Sequence, residues 1–475
     1  NTAIDANQFD NDTGIVIVKI AASGGSIDAG DLATQIDNFD DHNASVVFSL
    51  ADGDTLDIDN DTERGNIASY LDSGRLTLND QDVTFDNGFT ISAAEANAIA
   101  NETTGTLTAG IDTDQTVAQL KTLRYPNGDA GNTGAYETHA YTITIKNADA
   151  TAAAADLNLI NGATSQPVNA TAVTAISSSA LAATSTLLQA GHDEAQFTAT
   201  SFQDLADITI SDTTMSVAAL NTAITRANLV ATNLGGAKTT FALPAASTLD
   251  TGAVGDFTDL LAVEGTEGSD SLNITDQKFT VDSGTVTAGE ANTLTAATTG
   301  IVTASVTTSQ RVSDLVNLTD DTAAGAGQNN AKLTIVINTL DNTTVTASQL
   351  TTINKGTTEA VSLTHVTALG ASTLANLDIL NTAIDANQFD NDTGIVIVKI
   401  AASGSSVDAG NLATQIDNFM DHNTNVVFSL ADGDTLDIDT DAERNNINTY
   451  LGSGRLVLND QAVTVDNSVS LSHTI

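Results

Sequence analysis

An α/β repeat is the fold class that this sequence predicts: an extended, solenoid-like stack of strand–short-helix units, each about 31 residues long. Three observations carry that expectation. Residues 1–87 return as residues 381–467 with 72 of 87 positions identical, and Asn1–Gly24 returns as Asn381–Gly404 without a change. A diverged copy lies between them: residues 91–123 align without a gap to 286–318, and FALPAASTLD (Phe241–Asp250) aligns with FSLADGDTLD (Phe428–Asp437). Inside every copy, short β-type runs recur at a finer spacing with helical stripes between them.

The offsets divide the chain into a repeat unit at 1–190, a diverged unit at 191–380 and the first half of a further copy of the first unit at 381–475. Two units of about 190 residues thus make a super-repeat of about 380. The match stops near Gly88 and Ser468 with the copy still running, so the chain reads as a window of a longer tandem array. No linker rich in Pro, Gly or Ser separates the units. The alternative architecture closes each unit on itself as an α/β domain of about 190 residues, as beads on a string.

In chain order the expected strands are Ile15–Ile20, Val46–Leu50, Arg75–Leu78, Thr106–Ile111, Tyr141–Ile145 and Val168–Ile176. They continue as Asp207–Ile210, Thr239–Leu243, Ser271–Ile274, Ile301–Val306, Leu333–Ile337 and Val361–Leu369, then Ile395–Lys399, Val426–Leu430 and Arg455–Leu458. This is one strand to a period. Ile15–Val18 is apolar at every position, which predicts a strand covered on both faces, the second by a neighbouring chain. Between strands, Leu32/Ile36/Phe39 and Leu412/Ile416/Phe419 follow helical spacing. Val117/Leu120/Leu123, Val312/Leu315/Leu318 and Leu374/Leu377/Leu380 do the same at every third residue. Ser92, Thr287 and Thr346 stand where a hydroxyl caps exposed helix N–H groups. Helices of about ten residues are marginal alone and need a stacked neighbour to bury their stripe.

Composition removes several function classes. Sixty acidic residues (60) against 15 basic give a net charge of −45, so no basic surface exists to neutralise nucleic-acid phosphates or anionic lipid. No apolar run is long enough for a bilayer, so no membrane insertion is expected. There is no Cys, hence no disulfide or thiolate metal site. The six histidines (His42, His139, His192, His365, His422 and His473) are scattered without metal-ligand spacing, and no nucleophile elbow occurs, so no catalytic residue is assigned and the chain is expected not to be an enzyme.

The candidate ligands are acidic. Asp57, Asp59, Asp61 and Glu63 alternate along one segment and recur as Asp437, Asp439, Asp441 and Glu443. In an extended strand, alternate carboxylates share one face, where they repel unless hydrated or bridged by Ca²⁺. A second cluster, Asp10 and Asp12, recurs as Asp390 and Asp392; its Asp-Asn-Asp-Thr-Gly sequence also suits a tight turn. Ca²⁺ is the one cofactor these patterns point to. The ladder is not an EF-hand, since Thr62 holds the position that needs Gly and Ala68 the one that needs Glu.

The phrases TAGEANTLTAATTGIVTASVTTSQRVSDLVNL and VTASQLTTINKGTTEAVSLTHVTAL resemble the Ala/Thr/Asp-rich repeats of giant secreted surface proteins of bacteria, notably marine cyanobacteria. That resemblance implies an extracellular, cell-surface role: surface layer, adhesin, or motility-associated component, often with Ca²⁺. The chain lacks the glycine–aspartate nonapeptides of the calcium-repeat members. The expected function is a non-enzymatic extracellular scaffold in a filament, sheath, surface layer or adhesin stalk, self-associating with further copies of itself. The alternative is an adhesin region binding surface glycan or another cell. Against it, sugar platforms are usually exposed aromatic rings, and the chain has no Trp and five Tyr.

Overall fold

The computed structural model describes the chain except residues 1–16, 23–24, 87, 125–138, 194, 234–238, 267–271, 322–329, 342–343, 403–405, 467 and 471–475. It divides into two compact units. One comprises Asn1–Asp212, Ala219–Pro244 and Glu267–Leu272, the other Thr213–Ala218, Ala245–Thr266 and Asn273–Ile475. Both are mixed α/β: short parallel strands in several small sheets, with 14 α-helices among the described residues and no closed barrel.

In the first unit, a period opens on one strand (β1, Ile17–Ile20), turns into a second (β2, Ser26–Asp28) and enters a helix (α1, Ala29–Asp40). The next repeats this as β3 (Val47–Leu50), β4 (Thr55–Ile58) and α2 (Asp61–Asp72). The third runs β5 (Leu76–Thr77), β6 (Asp82–Phe85), β7 (Thr90–Ile91) and α3 (Ala93–Ala100), and β8 (Leu107–Ile111) follows. β1, β3 and β5 pair in that order in one parallel sheet, while β2, β4, β6 and β8 build another. A period here therefore holds two strands where the sequence pattern predicts one. The corner between them is made by Ala51-Asp52-Gly53-Asp54. Gly53 has φ +81°, a conformation that strains any L side chain, and Asp54 Oδ2 accepts from the Ala22 amide of the period before (2.8 Å).

Alternation decides what is buried. Phe48, Leu50, Leu56, Ile58, Val83 and Leu107 are inaccessible to solvent, and Leu32, Ile36 and Ile67 close over them from the helices. Each such side chain contributes roughly 1.5–3 kcal/mol. The predicted caps are present: Ser92, Thr287 and Thr346 each accept from the amide three residues on, and Glu95, Glu290 and Gln349 return the bond as capping boxes. The expected stripes Val117/Leu120/Leu123 and Val312/Leu315/Leu318 are buried.

Later in the first unit, Thr151–Ala152, Ala175–Ser179, Asp207–Ile210 and Thr240–Ala242 form a parallel sheet. In the second unit, Thr214–Ser216, Thr248–Ala253, Lys278–Ser283, Val302–Ser305 and Ala331–Thr334 do the same. The duplicated segment reappears there as two sheets, Ala368–Ser372/Ile397–Ile400/Val427–Leu430/Leu456–Val457 and Ser406–Asp408/Thr435–Ile438/Ala462–Val465. Two expected strands are split. Val361–Leu369 becomes Val361–Ser362 and the start of Ala368–Ser372, in different sheets, because Leu363–Val366 closes a turn (Val366 N to Leu363 O, 2.8 Å). Val168–Ile176 is likewise broken by a turn, Val173 N to Ala170 O at 3.0 Å. Of Ser271–Ile274, Leu272 makes only an isolated bridge to Phe241, and Ser271 lies outside the described residues.

Candidate functional site: acidic clusters and the contacts between coils

β4 ends at Ile58, and Asn60 then caps α2 by accepting from the amides of Thr62 and Glu63 (both 3.1 Å). The acidic run is thus half strand and half helix, and the expectation of one extended face fails at Asn60. Asp61 leaves the row and pairs with Arg64 (2.9 Å); in the second copy Asp441 pairs with Arg444 (2.9 Å). Arg444 lowers the Asp441 pKa, helped by the Ser470 amide. Glu63 folds back instead, its Oε2 accepting from Asp59 N and its Oε1 from Asn60 Nδ2 (2.7 Å each).

What gathers is a set of carboxylates from successive periods. Asp28, Asp59 and Glu63 bring ligand oxygens within 4.8 Å of one another, as do Asp57, Asp59 and Asp86. In the second copy Asp408, Asp439 and Glu443 rebuild the first of these. The register explains it: Asp28 stands opposite Asp57 and Asp57 opposite Thr84, as Asp408 stands opposite Asp437 and Asp437 opposite Thr464. The sequence pattern missed Asp28, Asp86 and Asp408, although each lies about one period from its partners.

Crowding shows in the proton affinities. Burial raises the Asp57 pKa, reinforced by the charges of Asp86, Asp28 and Glu63, and its Oδ1 is buried without a hydrogen-bond partner. The side-chain hydrogen bond with Asp86 raises Asp59, and the Asp437 charge raises Asp439. Oxygen-only donors of this kind fit a hard cation such as Ca²⁺.

The second expected cluster fares differently. Asp10 and Asp12 lie outside the described residues. Asp390 ends a two-residue strand and is exposed, and Asp392 opens a 3₁₀ turn after Asn391, whose φ is +62°. This is the turn its Asn, Asp and Gly suit. Asp392 faces His422 (3.4 Å), and neither aspartate joins a carboxylate cluster among the described residues.

The polar residues between coils form the other recurrent construction. Thr103 Oγ1 donates to Gln81 O (2.5 Å) and accepts from Gly105 N (2.9 Å). Thr298 repeats both bonds with Gln277 and Gly300, Thr164 with Tyr141 and Gln166, and Thr357 with Leu333 and Glu359. The backbones meet so closely that a Cβ on Gly105 would stand 2.4 Å from Gln81 O, and one on Gly300 2.1 Å from Gln277 O. The helix starts are tied as well: Ala93 N donates to Gln115 and Ala288 N to Gln310, while Ala154 N donates to Ser179 and Ala347 N to Ser372. These bonds account for the Thr, Ser and Gln that sequence reasoning left as background.

His139 is buried, its Nδ1 accepting from the Leu107 amide (3.0 Å) and its ring 5.2 Å from that of Tyr141. Burial lowers its pKa to about 4. An open hollow lined by Asp52, Asn79, Asp80, Asn101, Glu102 and Thr104 has no histidine or serine on its wall. No described helix is long and apolar enough to cross a membrane. No protein-family model matches the chain, and no curated protein matches it.

Proposed function

We propose that the chain is a non-enzymatic structural scaffold, a segment of an extracellular filament, sheath, surface layer or adhesin stalk in which the coils stack as a solenoid. One observation carries this reading: the duplicated segment makes the same ladder twice, Ile17 opposite Val47 in the first copy and Ile397 opposite Val427 in the second. A fold that reuses one ladder supports length and equivalent lateral surfaces, and lateral surfaces that repeat suit self-association. The resemblance to bacterial surface repeats and the net charge of −45 support a location outside the cell, where salt screens self-repulsion.

Electron microscopy of the purified chain, and of a chain lengthened by one more super-repeat, tests the reading. Rods that lengthen with the added repeat, or ordered fibres and sheets, are expected. Compact beads on a flexible tether would overturn the solenoid. Glycan binding is the weaker reading, because Tyr70 and Tyr450 are tied to Asp37 and Asp417 through their hydroxyls and Tyr141 is buried. Ca²⁺ enters the proposal as the ion that relieves the crowding of Asp28, Asp59 and Glu63 and of Asp408, Asp439 and Glu443. Chelation is expected to lower the melting temperature; an unchanged value removes the ion from the scaffold.

A further inference from the structure

Asn381 Oδ1, Gln415 Oε1 and His422 Nε2 are buried without a hydrogen bond, and all three lie along one helix–helix joint. The joint is internal to the second unit, where the helix Leu374–Asp385 packs on the helix Ala409–His422. Asp378, Asn381 and Asp385 follow one another at helical spacing on the first, as Gln415 and His422 do on the second. At one end of this internal joint Gln415 donates to Asp378 (3.1 Å), while its counterpart Gln35 in the first copy is exposed. At the other end stands His422, largely buried, between two carboxylates.

The two sides of that imidazole differ. Asp392 Oδ2 lies 3.4 Å from Nδ1. Asp385 Oδ1 lies 3.1 Å from Nε2, yet off the line along which a ring N–H would point, so the pair makes no hydrogen bond. Two ligands of one metal ion meet in just this off-line way, because the ion sits at the apex between them. Ligand atoms about 2.0–2.2 Å from a first-row ion stand about 3–3.5 Å apart. Asn381 supplies a third ligand. Its Nδ2 is 3.3 Å from Asp385 Oδ2, and a half-turn of the amide brings the unpartnered Oδ1 to that place. The residue is 7 % exposed, so bulk water does not serve that oxygen.

We propose that Asn381, Asp385 and His422 bind one first-row divalent cation of the Zn²⁺ class, through Asn381 Oδ1, a carboxylate oxygen of Asp385 and His422 Nε2. Asp392 is the positioning residue: a carboxylate beside the far ring nitrogen holds the imidazole proton at Nδ1 and frees Nε2 as a ligand. A nitrogen among the donors favours such an ion over Ca²⁺, so the site differs in residues and in chemistry from the carboxylate clusters. Bound there, the ion clamps together the two helices, the first of which runs across the start of the duplicated segment at Asn381. The proposal goes beyond the scaffold reading and does not rest on it. The duplicates Asn1, Asp5 and Asp12 lie outside the described residues, so the site is assigned to the second copy alone.

Calorimetric titration of the full chain with Zn²⁺, in excess Ca²⁺ to fill carboxylate-only sites, tests the assignment. The parent is expected to bind one Zn²⁺ more than His422→Gln, which keeps an uncharged side chain of similar reach. Asp385→Asn and Asn381→Leu are each expected to weaken that ion at least about tenfold, and Asp392→Asn about 10–100-fold. Zn²⁺ is also expected to raise the melting temperature of the parent and to leave that of His422→Gln unchanged. Equal stoichiometry and affinity in the parent and His422→Gln overturn the proposal. So does a loss confined to His422→Gln, with Asp385→Asn binding as the parent does, because a lone imidazole is then the ligand. If His422→Gln does not fold, the visible absorption of bound Co²⁺ decides: its bands are expected to change in Asp385→Asn, and identical bands overturn the site.

Discussion

Residues 76–86 and 456–466 make an instructive pair. In the first copy β6 lies between β4 and β8, and Val83 is 0 % exposed. In the second, Ala462–Val465 pairs with Thr435–Ile438 alone among the described residues, and Val463 is 46 % exposed. The sequences differ there by little more than Phe85 for Val465 and Asp82 for Ala462. Burial is therefore a property of the neighbouring coil rather than of the strand. Arg64 makes the same point with a charge: it reaches Glu95 of the following helix (2.7 Å), whereas Arg444 bonds Asp441 and Asn445 within its own.

The largest break in this comparison is expected from a buried charge. Val83→Asp should cost on the order of 4 kcal/mol, because the carboxylate enters a closed layer, while Val463→Asp should cost under about 1 kcal/mol. Denaturant melts of the two variants measure the difference, and equal losses would mean that β8 does not set the burial of β6.

A smaller effect comes from pH. His139 accepts from Leu107 of the strand that covers β6, and its folded pKa of about 4 lies below the unfolded value of about 6.5. The unfolded chain then binds more protons between those values, so the contribution is complete above pH 6.5 and is lost as pH falls through 4. The shift corresponds to roughly 3 kcal/mol. The raised carboxylates Asp57, Asp59 and Asp439 act with the opposite sign, losing stability as pH rises. Acid should thus loosen Leu107–Ile111, seen by amide exchange, while it relieves the repulsion within the acidic clusters. In His139→Gln that acid sensitivity should vanish; if it persists, another group is responsible.

The smallest effect sharpens the internal joint. Gln415→Ala should cost about 1 kcal/mol through the lost bond to Asp378, and Gln35→Ala close to nothing. Local exchange in the two helices distinguishes them, and equal responses would show that Asp378 does not hold Gln415.

Much of the periodic framework was legible before any coordinates. The helix stripes at Leu32/Ile36 and Leu412/Ile416/Phe419 are buried, and the hydroxyl caps at Ser92, Thr287 and Thr346 are formed. The second strand of a period was not legible. Thr55–Ile58 is four residues long, carries Asp57 outward and stands beside a turn, so its pattern is too short to separate from a loop. Carboxylate clusters were half legible, since Asp59 and Glu63 are near in sequence while Asp28 and Asp86 arrive only through strand register. Of the apolar run Ile15–Val18, Ile15 and Val16 lie outside the described residues, while Ile17 is 69 % exposed and its counterpart Ile397 50 %, so the chain itself does not cover that face in either copy.

The buried threonines have a consequence for wear. Thr103 reaches back to Gln81 and within its own turn to Gly105, and Thr298 does the same with Gln277 and Gly300. Bonds of this reach fasten a coil to the one before it. A protease cut or an oxidised side chain between Gln81 and Gly105 then loosens the joint that Thr103 makes, while the one that Thr298 makes between Gln277 and Gly300 stays closed.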